Sequence, residues 1–365
     1  MYLYLIYFIL SFFSFVEMNF GKKNLTKMFN IFLFIFFLIS FVRWERGTDW
    51  QPYLDFFNNI SYNTNTSDFE FLFVKLNVFS AMISDSYTFL LFLQAILIYF
   101  FTWRSLKSFS ISPIFSLLIW FSFSFAGIFF VRQTIAVALV LFSFTFIFDR
   151  KLKLFITFVL IASLFHQTAI IFLPAYFCYK LVLSRKQVLV MLVGAFFLSL
   201  ISSFFFQYLS NFGIASISDR AVGYLEAGSE DTFGSMYSPY ETMLRGLLYR
   251  FVGLSIIFYF LFDTYKSEIK LRVFGNLYFF GVLIFILFVP VSVTFSRFCN
   301  YFEISQVFIY PYLVYRWRKP YYRDLILFSL ILFFLFRLYG VIAGYENLYV
   351  PFKSIFNKEL KVEIR

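Results

Sequence analysis

Apolar residues in this chain come in long unbroken runs, not in the alternation of a half-buried strand or the three-to-four spacing of a surface helix. The runs lie at about 1–18, 28–42, 87–103, 114–126, 128–148, 154–165, 167–183, 187–206, 244–262, 273–293, 298–315 and 324–340. A bilayer core of about 30 Å takes about 20 helical residues, so runs of this length that are apolar on all sides read as helices in lipid. They predict an all-α, polytopic integral membrane protein with about 12 transmembrane helices, the whole chain forming a single membrane domain, 1–365. Residues 114–148 and 154–183 are each too long for one helix and too short for three, so each is read as a tight hairpin, turning at Gly127 and near His166.

Two polar intervals are long enough to carry chemistry, at about 43–86 and 207–243. The first opens RWERGTDWQPYLDFF, passes through the turn-forming NNISYNTNTSD and ends in FEFLFVKLNVFSAMIS, which is apolar on most sides and too short to span. That piece is expected to lie in the interface or to re-enter the protein. The second interval carries five glycines and scattered serines. Loops of such length without strong structure of their own are commonly functional.

Composition agrees with the pattern: 61% of residues are hydrophobic, 26% aromatic and only 14% charged. The amino terminus, MYLYLIYFILSFFSFV, lacks a positive first segment and a cleavage site and reads as a retained helix. Cys178 and Cys299 lie in distant apolar runs, without the spacing of a disulfide framework or a metal site. Charge sets the orientation. Lys22, Lys23, Lys27, Arg104, Lys107, Arg150, Lys151, Lys153, Lys180, Arg185, Lys186, Lys266, Lys270, Arg272, Arg316, Arg318, Lys319 and Arg323 fall in short loops on one side, which the positive-inside rule makes cytoplasmic. The net charge of +11 is thereby partly topological and does not point to nucleic acid.

The opposite side, the carboxyl tail apart, holds Arg43, Arg46, Arg132, Arg220, Arg245, Arg250, Arg297 and Arg337 with a single lysine, Lys75, and most of the acidic residues. Topogenic charge can be lysine or arginine indifferently. A planar guanidinium forks onto phosphate oxygens and keeps its charge at any working pH, so an almost purely arginine set points to a phosphate site. The competing reading is that these arginines pair with Asp49, Asp55, Glu70, Asp219, Glu226 and Glu241 and hold loops together; for Arg250 and Arg337 it is the simpler one. Arg132 and Gln133 stand out because they are set inside the first turns of a membrane-length run, Gly127–Phe148, where a cation is costly without a partner, a cavity or a ligand. Arg132-Gln133-Thr134 is echoed by His166-Gln167-Thr168, which reads as coincidence.

GTDWQPY after the second run, FE before an apolar turn, VRQTIA opening a helix, a lone FH followed by LP, SRFCNYF in a late outer loop and YVPFKS near the end together resemble the EpsG family of Wzy-type O-antigen and exopolysaccharide polymerases. The resemblance covers Gly47 to Lys353 in order. It implies a fold like that of the GT-C-like membrane glycosyltransferases, and a polymerase on the outer face of a bacterial cytoplasmic membrane. Such an enzyme moves a growing glycan from undecaprenyl diphosphate to a hydroxyl of the next lipid-linked repeat unit, by inversion if the family is followed. Its partners would be the lipid-linked donor and acceptor, the bilayer, a chain-length regulator and a flippase. The motifs fall on Gly47, Asp49, Trp50, Tyr53, Glu70, Arg132, Gln133, His166, Arg297 and Tyr301, with Arg220 and Tyr224 a looser match.

The chemistry of these residue types fits that role. A leaving diphosphate needs a metal or fixed cations. The outer side has no DxD motif or metal-ligand spacing, so neither metal nor cofactor is expected, and Arg132 with Arg297 and one of Arg43, Arg46 or Arg245 would clamp the diphosphate, assisted by Gln133. The acceptor hydroxyl needs a base, for which Asp49, Glu70 and His166 are candidates. Asp49 could equally cap a turn, Glu70 pair with a cation, and His166 serve as a hydrogen-bonded packing residue. Trp50, Tyr53, Tyr224 and Tyr301 could stack on sugars or belong to an interfacial belt. A ligase transferring finished glycan would use the same groups. A membrane O-acyltransferase would want His166 near the cytoplasmic side, and a flippase would want charges along a path, of which Glu17 is the one clear inner-helix carboxylate.

Overall fold

The computed structural model describes residues 2–21, 25–47, 49–60, 69–211, 238–317, 319–343 and 346–357, with the backbone alone at 202–211 and at Thr294. Among these residues the chain is helical, with one isolated antiparallel bridge, Arg43 to Ser354. The α-helices are α1 (Tyr2–Phe20), α2 (Thr26–Val42), α3 (Trp50–Asn58), α4 (Phe71–Ile83), α5 (Tyr87–Phe109), α6 (Pro113–Ser124), α7 (Arg132–Phe148), α8 (Leu152–Phe165), α9 (Arg185–Asn211), α10 (Pro239–Ser255), α11 (Phe262–Ser267), α12 (Ile269–Phe288), α13 (Ser296–Glu303), α14 (Gln306–Arg316), α15 (Pro320–Ala343) and α16 (Glu346–Tyr349). Each apolar run of the sequence falls on helical structure, the 298–315 run on two helices, α13 and α14, parted at Ile304 and Ser305.

Among the described residues, five helical stretches are long and apolar enough to cross a membrane: Tyr2–Phe20, Tyr87–Phe109, Pro239–Phe260, Ile269–Phe288 and Pro320–Ala343. Thr26–Val42, Phe71–Ile83, Pro113–Gly127, Arg132–Phe148 and Leu152–Phe165 are apolar but shorter. Specific breaks shorten them. Phe125, Ala126 and Gly127 take positive φ in succession, of 50°, 51° and 79°, which stops α6. At Gly127 a side chain is barred twice, since a Cβ would also sit 2.5 Å from Thr134 Cγ2. Helix α7 ends with Arg150 left-handed at φ 57°, while Lys151 N donates to Phe146 O (2.9 Å) and Arg150 N to Ile147 O (3.3 Å), a Schellman closure. After His166 the chain tightens into a 3₁₀ stretch, Gln167–Lys180, with Pro174 inside. At about 2.0 Å per residue its length is about 28 Å.

The chain divides into two compact units. The first comprises Met1–Thr145, Lys153–Ile170 and Asp324–Arg365. Aromatic contacts knit its helices: Phe36 stacks on Phe121 at 5.5 Å, and Phe101, Phe142 and Phe158 bring α5, α7 and α8 together at 5.1–6.2 Å. Glu17, fully buried in α1, accepts from Ser112 Oγ and from the N–H groups of Ile114 (3.0 Å) and Phe115 (3.2 Å). It caps the start of α6, whose first N–H groups have no partner within their own helix. The second unit comprises Phe146–Leu152 and Ile171–Arg323, built around the largely buried α12. There Tyr265 OH donates to Asn276 Oδ1 (2.7 Å) and accepts from Leu183 N (2.9 Å), while Asn276 Nδ2 donates to the carbonyls of Cys178 and Leu181.

Candidate functional site: an arginine fork at the start of a helix

Arg132 is the first residue of α7. Its Nη1 donates to Glu70 Oε2 at 2.6 Å and its Nε to Tyr53 OH at 2.9 Å. The guanidinium carbon lies 4.7 Å from the ring centre of Phe69, 5.2 Å from that of Tyr53 and 5.6 Å from that of Phe73. Three aromatic faces and a carboxylate thus hold a cation at the end of an apolar helix. Both Arg132 and Glu70 keep 19% of their side-chain surface exposed, and Arg132 Nη2 makes no hydrogen bond to a described residue.

Glu70 reaches this position because it precedes α4 as its N-cap residue, where a negative charge suits the helix dipole, yet its side chain makes no bond to its own helix. It bridges instead. Oε2 takes Arg132 and Oε1 accepts the backbone N–H of Gln167 at 3.2 Å. The two echoed triplets, Arg132-Gln133-Thr134 and His166-Gln167-Thr168, therefore meet at one carboxylate. His166 is buried, with Nδ1 and Thr168 Oγ1 2.8 Å apart, and lies one residue from the N–H that Glu70 accepts. Asp49 precedes α3 without a side-chain cap bond, and its Oδ2 is 3.5 Å from Tyr53 OH. Asp49, Tyr53, Arg132, Glu70 and the His166 turn form one connected set.

Arg43 and Arg46 are arranged differently. Arg43 is 2% exposed, and its donors go to the carbonyls of Ser40 (3.1 Å), Arg46 (2.7 Å) and Phe129 (3.3 Å). Burial pulls its guanidinium below the ordinary arginine value. It fixes the turn that contains Gly47, whose φ is 113° and where a Cβ would sit 2.7 Å from Phe129 O. Arg46 Nε donates to Pro351 O (2.6 Å) and Nη1 to Asn347 O (3.3 Å). Trp44 N reaches Lys353 O (2.9 Å), Gly47 N reaches Leu348 O (3.2 Å), and Lys353 pairs with Glu45 at 2.8 Å. Residues 346–354 thus strap the 43–47 turn. Trp50, also buried, packs edge-on against Trp44 and Tyr87.

Gln133, half-buried, follows Arg132 in the first turn of α7, and the second unit holds the remaining described candidates. Arg245 lies on α10, one turn after Glu241 of the Ser238 capping box; Arg297 lies in the first turn of α13, and Tyr301 one turn later is fully buried. Arg250, by contrast, is held by Glu303 through Nε–Oε1 (2.5 Å) and Nη2–Oε2 (2.8 Å), over the Phe285 ring at 3.3 Å. That pair follows the structural reading given to Arg250. Arg220 and Tyr224 lie outside the described residues. Among the described residues no three His, Cys, Asp or Glu side chains stand together as a metal site would need.

Phe73, the Gln167 N–H, Glu303 and the contacts that the strap makes to Trp44 and Arg46 do not stand out in the sequence, although FE and YVPFKS are among its motifs. The FE pair with Phe73 one turn on, and the repeated Gln-Thr, were the available signals.

Helices of membrane-spanning length and apolarity define a multi-pass membrane protein, with a partnered cation and carboxylate at one helix end. The chain belongs to the EpsG family, whose family model matches residues 26–354; this is a Wzy-type polymerase family, so the protein is of the polysaccharide-polymerase type. No curated protein and no solved structure matches it significantly.

Proposed function

We propose that this protein lengthens a polysaccharide by transferring the growing glycan from a polyprenyl diphosphate, such as undecaprenyl diphosphate, to a hydroxyl of the next lipid-linked repeat unit. It does so on the outer face of a bacterial cytoplasmic membrane that the chain crosses about twelve times in a GT-C-like fold. The glycosyl C1–O bond breaks with its electron pair left on the diphosphate. The acceptor oxygen bonds to C1 from the opposite face, inverting it, and the acceptor proton passes to a carboxylate.

The observation that carries this reading is the half-used fork of Arg132. Its Nη1 is spent on Glu70 and its Nε on Tyr53, while Nη2 bonds to no described residue at the amino end of α7, where the helix dipole also favours an anion. A diphosphate arriving there competes with Glu70 for Nη1. The displaced carboxylate is then free to take the acceptor proton, which makes Glu70 the favoured base among Asp49, Glu70 and His166. Tyr53 and Gln133 would add hydrogen bonds to the same anion. Arg245, Arg297 and Arg220 are further candidates on their motifs, as Trp50, Tyr224 and Tyr301 are for the glycan. With arginines at the leaving group, the reaction is proposed to run without a divalent metal, so activity should survive a chelator. A ligase would use the same cluster with another acceptor; a flippase is disfavoured because Glu17 is engaged as a helix cap.

The test is the lipid-linked product of a deletion strain carrying wild type or Arg132→Ala, resolved by glycan length. A single repeat unit in place of a ladder supports the polymerase and its arginine. Long polymer that accumulates on its carrier points to the ligase, and unchanged glycan removes both.

A further inference from the structure

Away from the Arg132 cluster, α2 and α5 of the first unit pack antiparallel. Phe41 meets Phe92 at 5.4 Å, Phe37 meets Tyr99 at 6.4 Å, and Trp103 Nε1 donates to Asn30 Oδ1 at 3.0 Å near the start of α2. Beside this last contact lies a recess of about 330 Å³, lined by Asn30, Leu33, Phe34, Phe37, Phe100 and Trp103 among others and almost wholly apolar. It follows α2 from Asn30 to Phe37, about 10 Å of helix. Phe34 and Phe100 along it are 58% and 53% exposed. At the Asn30–Trp103 end stand three exposed cations: Lys27 before Asn30 on α2, and Arg104 and Lys107 after Trp103 on α5. Lys107 Nζ lies 4.8 Å from the Trp103 ring centre.

We propose that this recess binds an anionic phospholipid of the cytoplasmic leaflet, its phosphate among Lys27, Arg104 and Lys107 and an acyl chain along Phe34 and Phe100. The order from cations to an anchored indole to an apolar trough matches the order from headgroup to interface to chain in a lipid monolayer. Three cations select a net negative headgroup over a zwitterionic one. The leaflet rests on the orientation in the proposed function, which puts these lysine-rich helix ends inside and the substrate diphosphate on the other face. That separation argues for a bilayer phospholipid over the polyprenyl substrate.

Purified full-length protein, delipidated in detergent, is titrated with dioleoyl phosphatidylglycerol or dioleoyl phosphatidylcholine. Bound lipid is counted by native mass spectrometry, with thermal unfolding followed in parallel. The glycerol lipid should bind at least about tenfold tighter, and K27Q/R104Q/K107Q should lose about fivefold per cation removed. Lys151→Gln/Lys266→Gln/Lys270→Gln should retain it, and Trp103→Ala should weaken both lipids alike. Equal binding of the two lipids, or undiminished binding by the K27Q/R104Q/K107Q protein, overturns the site. Displacement of the glycerol lipid by equimolar polyprenyl diphosphate overturns the phospholipid assignment in favour of substrate. If lipid selectivity holds but the lysine-rich ends prove to face outward, only the leaflet fails; if lipid selectivity fails while the Arg132→Ala ladder collapses, only the lipid site does.

Discussion

At Arg132 the shape of the cation matters more than its charge. Nε and Nη1 are both committed to partners on α3 and just before α4, and a lysine has one ammonium to put in their place. Arg132→Lys should therefore cut polymer yield by at least about tenfold while the protein accumulates normally, read from glycan length beside an immunoblot; near-normal ladders would remove the fork from the mechanism. Glu70→Gln keeps one acceptor for the Gln167 N–H but cannot take a proton, so it should abolish chain extension and leave membrane insertion intact. Ordinary ladders from that variant would shift the base to His166 or Asp49. Arg43 shows how the same residue type serves a different purpose 2% exposed, where three carbonyls take its donors and it fixes a turn.

At the scale of elements, the Arg250–Glu303 pair joins α10 to α13, and two glycines make room for it. A Cβ at Gly246 would collide with Phe285, and one at Gly281 would lie 2.8 Å from Glu303 Cγ. Removing one partner leaves the other charged and buried, so Arg250→Met or Glu303→Leu alone should destabilise by about 3–5 kcal/mol, whereas the double variant should recover most of that. Thermal unfolding in detergent measures both, and additive losses would contradict the pairing. The helices themselves were legible in the sequence, because an apolar run in lipid has few alternatives to helix. Arg132, Glu70 and Tyr53 were legible singly. Their meeting was not, because it depends on how α3, α4 and the turn at His166 pack, which apolar periodicity does not encode. Glu303 was invisible for the same reason: its partner lies 53 residues away on another helix.

For the whole molecule, charge asymmetry makes one global prediction. With Cys178 and Cys299 both buried, a membrane-impermeant thiol reagent should label Ser86→Cys in intact cells or spheroplasts and reach Ser267→Cys only after the membrane is opened. The reverse pattern would invert the orientation and move the Arg132 site to the inner face. The strap over the 43–47 turn adds a constraint in time. Arg46 and Trp44 take their partners from Pro351 and Lys353, about three hundred residues later in the chain. The ribosome delivers α2 and its turn early, and the turn then waits, unlatched, through the synthesis of every later helix. If the proposed Arg132 site works only with this turn latched, each nascent chain stays inactive until translation has passed residue 354. A chain stopped after Ala343 should insert with normal topology, resist extraction from the membrane as the full chain does, and make no ladder; polymer from such a chain would show that the latch is dispensable.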